Sequence, residues 1–189
     1  DQFFIRNPAD EPSLLAHLES TLRKFEWVIS FNGTAFDLPL LQTRLIMNRR
    51  RFSVVDLASL DLLHVARRLW RYQINDRSLG SLESSILNVH RGPDIPGHLI
   101  PSLYLQYLRN GDARPLGRMF SHNRQDIVSM ALLIEHATKV LTTWRTDEQS
   151  GATVLGVARV HHLAGDIDTA IDAYSRALDL GLDQTSTTV

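Results

Sequence analysis

The chain has 189 residues, 43% hydrophobic and 22% charged, with 20 Lys+Arg against 21 Asp+Glu for a formal net charge of −1. Those figures exclude a disordered or collagen-like polymer and leave any grip on nucleic acid to a local patch. With no cysteine, disulfide staples, thiolate nucleophiles and zinc ribbons are excluded, and a bound metal has only oxygen or imidazole to hold it.

No apolar run approaches the roughly 20 residues of a membrane span, and residues 1–10 lack the basic start and apolar core of a signal peptide. A cytoplasmic chain without membrane contact is expected. The chain opens on Asp1 and closes on Gln184-Thr185-Ser186-Thr187-Thr188-Val189 just after a helical pattern, so both ends are expected to be cut from a longer protein.

Residues 2–5 have the composition of a strand end, broken by Asn7-Pro8. From Pro12 the apolar positions Leu14, Leu15, Leu18, Leu22 and Phe25 recur every three or four residues, which predicts a helix, with Arg23-Lys24 at the end its dipole favours. Trp27 to Phe31 is nearly all apolar and rich in β-formers, the pattern of a strand buried on both faces. Asn32-Gly33 makes a turn, and Phe36 to Asn48 predicts a helix with Pro39 in its first turn. Strand, helix, strand points to an α/β core. A third strand falls on Ser53 to Val55 or on Ser59 to Leu62. Later segments predict helices near 62–72, 79–87, 100–109 and 115–144, interrupted by the loop Arg91 to Gly97.

From Gly151 the texture becomes that of an alanine-rich helical hairpin. Val154, Val157, Ala158, His161, Gly165, Ala170, Tyr174 and Ala177 stand at the spacings of a tetratricopeptide repeat, which the segment 151–184 resembles. Val154, Ala158, His161 and Leu182 depart from the usual Trp, Gly, Tyr and Pro. A lone repeat cannot bury its own face, so further repeats and a protein partner docked on them are expected.

Two signals carry chemistry. The first is Asn32-Gly33-Thr34-Ala35-Phe36-Asp37-Leu38-Pro39-Leu40-Leu41, with Arg44 further along the helix. A carboxylate just beyond a strand is how α/β folds present a metal ligand, yet on spacing alone a helix cap is the simpler reading of Asp37. The second is His122-Asn123-Arg124-Gln125-Asp126. Residues four apart on a helix share a face at about 5–6 Å between Cβ atoms, so His122 and Asp126 can act together or be an ordinary polar pair. A third signal is basic. Seven arginines (44, 49, 50, 51, 67, 68, 71) stand against Asp56 and Asp61, with Trp70 and Tyr72 beside them. They suit a nucleic-acid track, or else a solvated helix face with Trp70 in the core.

In order and context the first two signals resemble the second and third motifs of the DEDD 3′–5′ exonucleases of the ribonuclease H-like superfamily. The chain is more similar still to the YprB-type ribonuclease H-like domain, through Asp61-Leu62-Leu63-His64, Ala66-Arg67-Arg68-Leu69-Trp70, Ser78-Leu79-x2-Leu82-Glu83, Arg91-x2-Asp94-Ile95-Pro96-Gly97, Ile100-Pro101 and His122-Asn123-x2-Asp126. The likeness implies a ribonuclease H-like domain over 1–145, lacking its N-terminal strands, followed by the hairpin at 151–184.

The resemblance further implies that Asp37 and Asp126 bind divalent cations, Mg²⁺ or Mn²⁺, and that His122 positions or deprotonates the attacking water. Such cations want oxygen ligands and sit about 3.5–4 Å apart. The implied substrate is DNA or RNA at single-stranded ends, with Asn32, Arg44, Arg67 and Arg68 as substrate-binding candidates. The family's first motif, Asp-x-Glu, is absent, since no Asp is followed two residues on by Glu. The fragment is therefore expected to be inactive by itself, with an open edge on Trp27 to Phe31 and poor solubility. A shape-retaining module that binds nucleic acid or protein without cleaving is the competing expectation. Asp94 and Glu83 are expected to be structural.

Overall fold

The computed structural model describes residues 1–92, 94–146 and 148–181, so Leu182 and the Gln184–Val189 tail lie outside the described residues. Chain order is α1 (Glu11–Leu22), β1 (Trp27–Ser30), α2 (Asp37–Met47), β2 (Ala58–Asp61), α3 (Leu62–Leu69), α4 (Leu79–Ser85), α5 (Ile100–Asn110), α6 (Leu116–Thr143), α7 (Gly151–Leu163) and α8 (Ile167–Leu180). Helix dominates, beside one small parallel sheet, consistent with an α/β ribonuclease H-like fold. The chain forms two compact units, residues 1–61 with 91–128, and residues 62–90 with 129 onward.

The first unit is built on β1–α2–β2. The strands pair in parallel, with Trp27 opposite Ala58 and Ser30 opposite Asp61. Parallel neighbours need a crossover, and α2 supplies it. Leu15 of α1 packs with Leu38 and Leu45 of α2 and with Phe52 and Val54, while Leu22, Val28, Leu41 and Leu57 close the cluster. Charge then ties α1 to the segment that follows. Glu11 accepts from Arg44 and Asn48, and Glu19 accepts from Arg23 and Arg50. Their guanidinium partners hold both carboxyls below the usual range against a smaller opposing effect of desolvation.

Three expectations change here. Residues 2–5 form no strand. Instead Phe4 packs edge-on against Tyr104 and Phe120 and tilted against Tyr107, and the Ile5 carbonyl accepts from the Tyr104 hydroxyl, because apolar β-formers without a pairing edge find aromatic partners on helices. β1 is not buried on both faces: Trp27 is 62% and Ile29 46% exposed, and Ile29 pairs with Leu60, also exposed. With two strands the sheet is too narrow to be covered twice, so only the Val28 face meets the core. Of the two candidates for the next strand, Ala58–Asp61 pairs, whereas Val54 turns into the core with its N–H on Gln42.

In the second unit, α3 buries Leu62, Leu63, Ala66 and Leu69 along one stripe. The α7–α8 hairpin forms as its spacing predicts, with Ser150 and Asp166 capping the two helices. Small residues let backbones touch: a Cβ on Gly156 would stand 1.9 Å from the Leu69 carbonyl oxygen, and one on Gly151 2.0 Å from that of Gly181. Glu83, fully buried, accepts from the Ser129 hydroxyl, in keeping with a structural role. Among the described residues no helix is long and apolar enough to cross a membrane.

Candidate nuclease site

The turn after β1 is set by a carboxylate from the neighbouring strand. Asp61, the last residue of β2, is 5% exposed and accepts from the backbone N–H of Asn32 at 2.7 Å, the N–H of Thr34 at 3.1 Å and the Thr34 hydroxyl at 2.6 Å. These donors hold Asn32 at φ 61, a left-handed conformation that Asn tolerates better than most residues. The identity of Asn32 thus has a backbone reason, apart from any contact with substrate. Gly33 follows because there is no room for more: a Cβ there would lie 2.5 Å from that of Ser30.

Asp37 is exposed and begins α2 rather than capping it. Phe36 holds the cap position without a side-chain bond, and the first turn is closed by Leu38 N–H on the Gly33 carbonyl at 2.9 Å. The capping expectation for Asp37 therefore does not hold. Its charge instead favours the positive end of the helix dipole, and its Oδ2 lies 3.4 Å from where a Gly33 Cβ would stand.

His122 and Asp126 share one face of α6, as their spacing requires, and the loop before α5 comes to meet them. Nδ1 of His122 is 2.7 Å from Asp94 Oδ2, and its Nε2 is 3.3 Å from Asp126 Oδ2. Arg91 closes the ring, donating from Nη1 to Asp94 at 3.0 Å and from Nη2 to Asp126 at 2.5 Å. Asp94 also accepts from the N–H of Ile95, whose side chain is buried. Burial raises the pKa of Asp94, but Arg91, the Ile95 N–H and His122 together outweigh it and lower the carboxyl below its ordinary 3.8. Two carboxylates, a guanidinium and an imidazole thus form one closed circuit.

The basic track is altered by its partners. Arg44 is engaged by Glu11 and Arg50 by Glu19, so neither projects a bare charge toward substrate. Trp70 is 1% exposed with its ring beside His136, which removes it as a stacking platform. Arg67 and Arg68 are exposed on α3, in the second unit.

Two divalent cations would need several carboxylate oxygens converging. Among the described residues no group of three or more His, Asp or Glu side chains is arranged to hold a metal ion. Asp126 already directs its oxygens at Arg91 and His122, and among the described residues Asp37 belongs to no group of three or more such side chains. The metal roles expected of Asp37 and Asp126 do not fit this arrangement as a two-cation centre.

A parallel β–α–β core continued by helices, with a carboxylate-and-imidazole cluster on a long helix, agrees with the family comparison, in which the model of the RNase_H superfamily matches residues 1–138. The chain belongs to the ribonuclease H superfamily, a membership that suggests nuclease-type chemistry and contact with nucleic acid. It is similar to the uncharacterized protein YprB of Bacillus subtilis (strain 168), with 28% identity over 179 residues, 94% of this chain and 43% of that protein. The chain therefore spans less than half the length of the relative it matches. No solved structure matches it.

Sequence reasoning undervalued Asp61, Arg91 and Asp94. Asp61 and Arg91-x2-Asp94 were visible as parts of the resemblance, but a strand-terminal Asp and a loop Arg reveal their partners only in three dimensions. The Asp-Ile-Pro-Gly run was the available signal, because a Pro-Gly loop restricts where Asp94 can stand.

Proposed function

We propose that the chain is most of a ribonuclease H-like nuclease domain that hydrolyses phosphodiesters of DNA or RNA at single-stranded ends, of the 3′–5′ exonuclease type, within a longer protein. The observation that supports this reading is the pairing of His122 with Asp126 on α6, with Asp94 behind the ring. An imidazole held at Nδ1 has one position, Nε2, at which to accept or return the proton of an attacking water. Divalent-cation chemistry with Mg²⁺ or Mn²⁺ would need carboxylates beyond those gathered here, and the chain alone is expected to be inactive. Asp37 and Asn32 would flank the substrate beside β1, and Arg67 and Arg68 would meet phosphates. The assignment keeps 1–145 as the nuclease-like domain and 151–184 as a tetratricopeptide-like hairpin for a protein partner, in a cytoplasmic setting.

The test uses the longer parent protein with Mn²⁺ and a labelled single strand. Asp126→Asn should abolish nucleotide release, and His122→Ala should lower it by a factor of about 10² or more. Unchanged rates in both variants would remove these residues from the mechanism. One observation favours a second reading, a binding module without cleavage: Arg91 already neutralises Asp126. An Asp-x-Glu on an apolar strand upstream in the parent would support the enzyme. Neutral residues there, with strand binding that persists in EDTA, would support the binder.

A further inference from the structure

We infer that Asp94 is the positioning residue of His122, and that Arg91 couples this pair to Asp126. The inference rests on the nuclease reading for its use and on the geometry alone for its existence. His122 is largely enclosed, with 15% of its side chain exposed, and both ring nitrogens face carboxylates at unequal distances, 2.7 Å at Nδ1 and 3.3 Å at Nε2. The shorter contact lies within hydrogen-bonding range and the longer beyond its usual limit, so the ring is anchored at Nδ1. A neutral imidazole carries a single N–H. Arg91 Nη1 also faces Nδ1, but at 3.4 Å against 2.7 Å for the Asp94 carboxylate, so the N–H is committed to Asp94 and the atom left for proton exchange is Nε2, on the Asp126 side.

Asp94 suits the task because it is itself fixed. Its Oδ1 accepts from the Ile95 N–H at 2.7 Å, its Oδ2 accepts from Arg91, and the buried Ile95 side chain pins the loop. A carboxylate with three donors has little freedom to turn, which is what an orienting partner behind an imidazole requires. Arg91 reaches both carboxylates from one guanidinium, so a movement of Asp126 is felt at Asp94 and through it at the ring. The loop of Arg91 to Gly97, structural in appearance, becomes the support that selects which nitrogen of His122 is available. Gly97 sits beside that nitrogen, since a Cβ there would lie 3.9 Å from Nε2.

The test reads the ring proton. In the full chain carrying isotope-labelled histidine, the His122 Nδ1–H is expected as a downfield resonance that exchanges slowly with water, assigned by its disappearance in His122→Phe. Asp94→Ala should abolish the resonance. Asp126→Asn should keep it but move it, because Arg91 loses its ionised partner there, and a resonance that stays at its wild-type position would overturn the coupling through Arg91. Asp94→Asn preserves the shape of the residue with a weaker acceptor and should shift the resonance upfield or lose it, which gives a reading even where the alanine variant does not fold. A wild-type chain without this resonance, an unshifted signal in Asp94→Asn, or a signal lost in Asp126→Asn with Asp94 in place would each overturn the inference. Cleavage by the parent protein is scored separately. The resonance without cleavage sinks the nuclease reading alone, and cleavage without the resonance sinks the positioning role alone.

Discussion

At the end of β2, Asp61 is 5% exposed and spends its oxygens on the backbone and hydroxyl of a turn, whereas Asp94 and Asp126 keep 27% and 32% of their side-chain surface in water and are tied to side chains. Both clusters lie in the first unit and both fix a loop. They differ in what each carboxylate can be released to do. Asp61 cannot turn without leaving two N–H groups unpaired and Asn32 unsupported at positive φ, so it is bound to the fold. Asp94 is still held by the Ile95 N–H, but Asp126, bound to the side chains of Arg91 and His122, can rearrange by exchanging one charged partner for another, at a cost moderated by solvent. A polar cluster built on backbone donors is scaffold, and one built on mutually paired side chains is open to chemistry.

The largest expected effect follows from the scaffold side. Asp61→Ala removes three hydrogen bonds to a buried carboxylate and should lower stability by about 3 kcal/mol or more, measured by denaturant unfolding of the full chain. The equivalent truncation Asp126→Ala should lower it by clearly less. Equal losses would erase the distinction between the two clusters. Next in size is Gly33→Ala. Its added methyl meets the Ser30 side chain at 2.5 Å within the turn that Asp61 holds, and about 1–3 kcal/mol of destabilisation is expected. A neutral result would show that the turn is less constrained than its hydrogen bonds indicate.

How much of this was legible beforehand varies with the reach of the interaction. Helices α1, α2, α5, α6 and the α7–α8 hairpin lay within a few residues of their expected spans, because apolar spacing, Pro39 in a first turn and the run of small residues from Gly151 are local signals. The β1–β2 pairing was half legible: the Trp27 strand was clear, its partner was undecided, and the exposure of its face depends on how many strands pair, which no window of sequence reports. In the site, His122 and Asp126 came together because their spacing puts them on one helix face. Asp94 and Arg91 did not announce themselves, since a loop's approach to a helix is set by packing of residues such as Ile95. The basic stretch misled for a related reason. Arg44 and Arg50 look like phosphate ligands until Glu11 and Glu19, more than 30 residues away, are seen to take them.

A smaller effect separates the clusters by pH. Because its pairing lowers the carboxyl of Asp94 below 3.8, the ionised form is favoured in the folded state. The stabilisation it brings is present above the range where an unfolded Asp titrates and is lost as pH falls through the lowered value. The stability difference between the wild-type chain and Asp94→Asn should therefore be constant near neutrality and shrink as pH drops below 3.8, in unfolding curves taken at several pH values. A difference that grows on acidification would mean that Asp94 is held protonated and would contradict the ion-paired circuit.

The smallest expected effect is the same glycine substitution made at the other cluster. Gly97 opens a short 3-10 turn, and among the described residues its added Cβ would meet only Nε2 of His122 at 3.9 Å, an ordinary van der Waals distance. Replacing glycine where an L-residue fits narrows the unfolded ensemble, so Gly97→Ala should change stability by no more than about 0.5–1 kcal/mol, in the stabilising direction. A loss comparable to that of Gly33→Ala would mean that the Arg91–Gly97 loop is packed as tightly as the β1 turn. A retained fold with altered proton exchange at Nε2 would instead place the methyl where the open side of the circuit handles its proton, and would sharpen the contrast between a carboxylate that builds and carboxylates that can act.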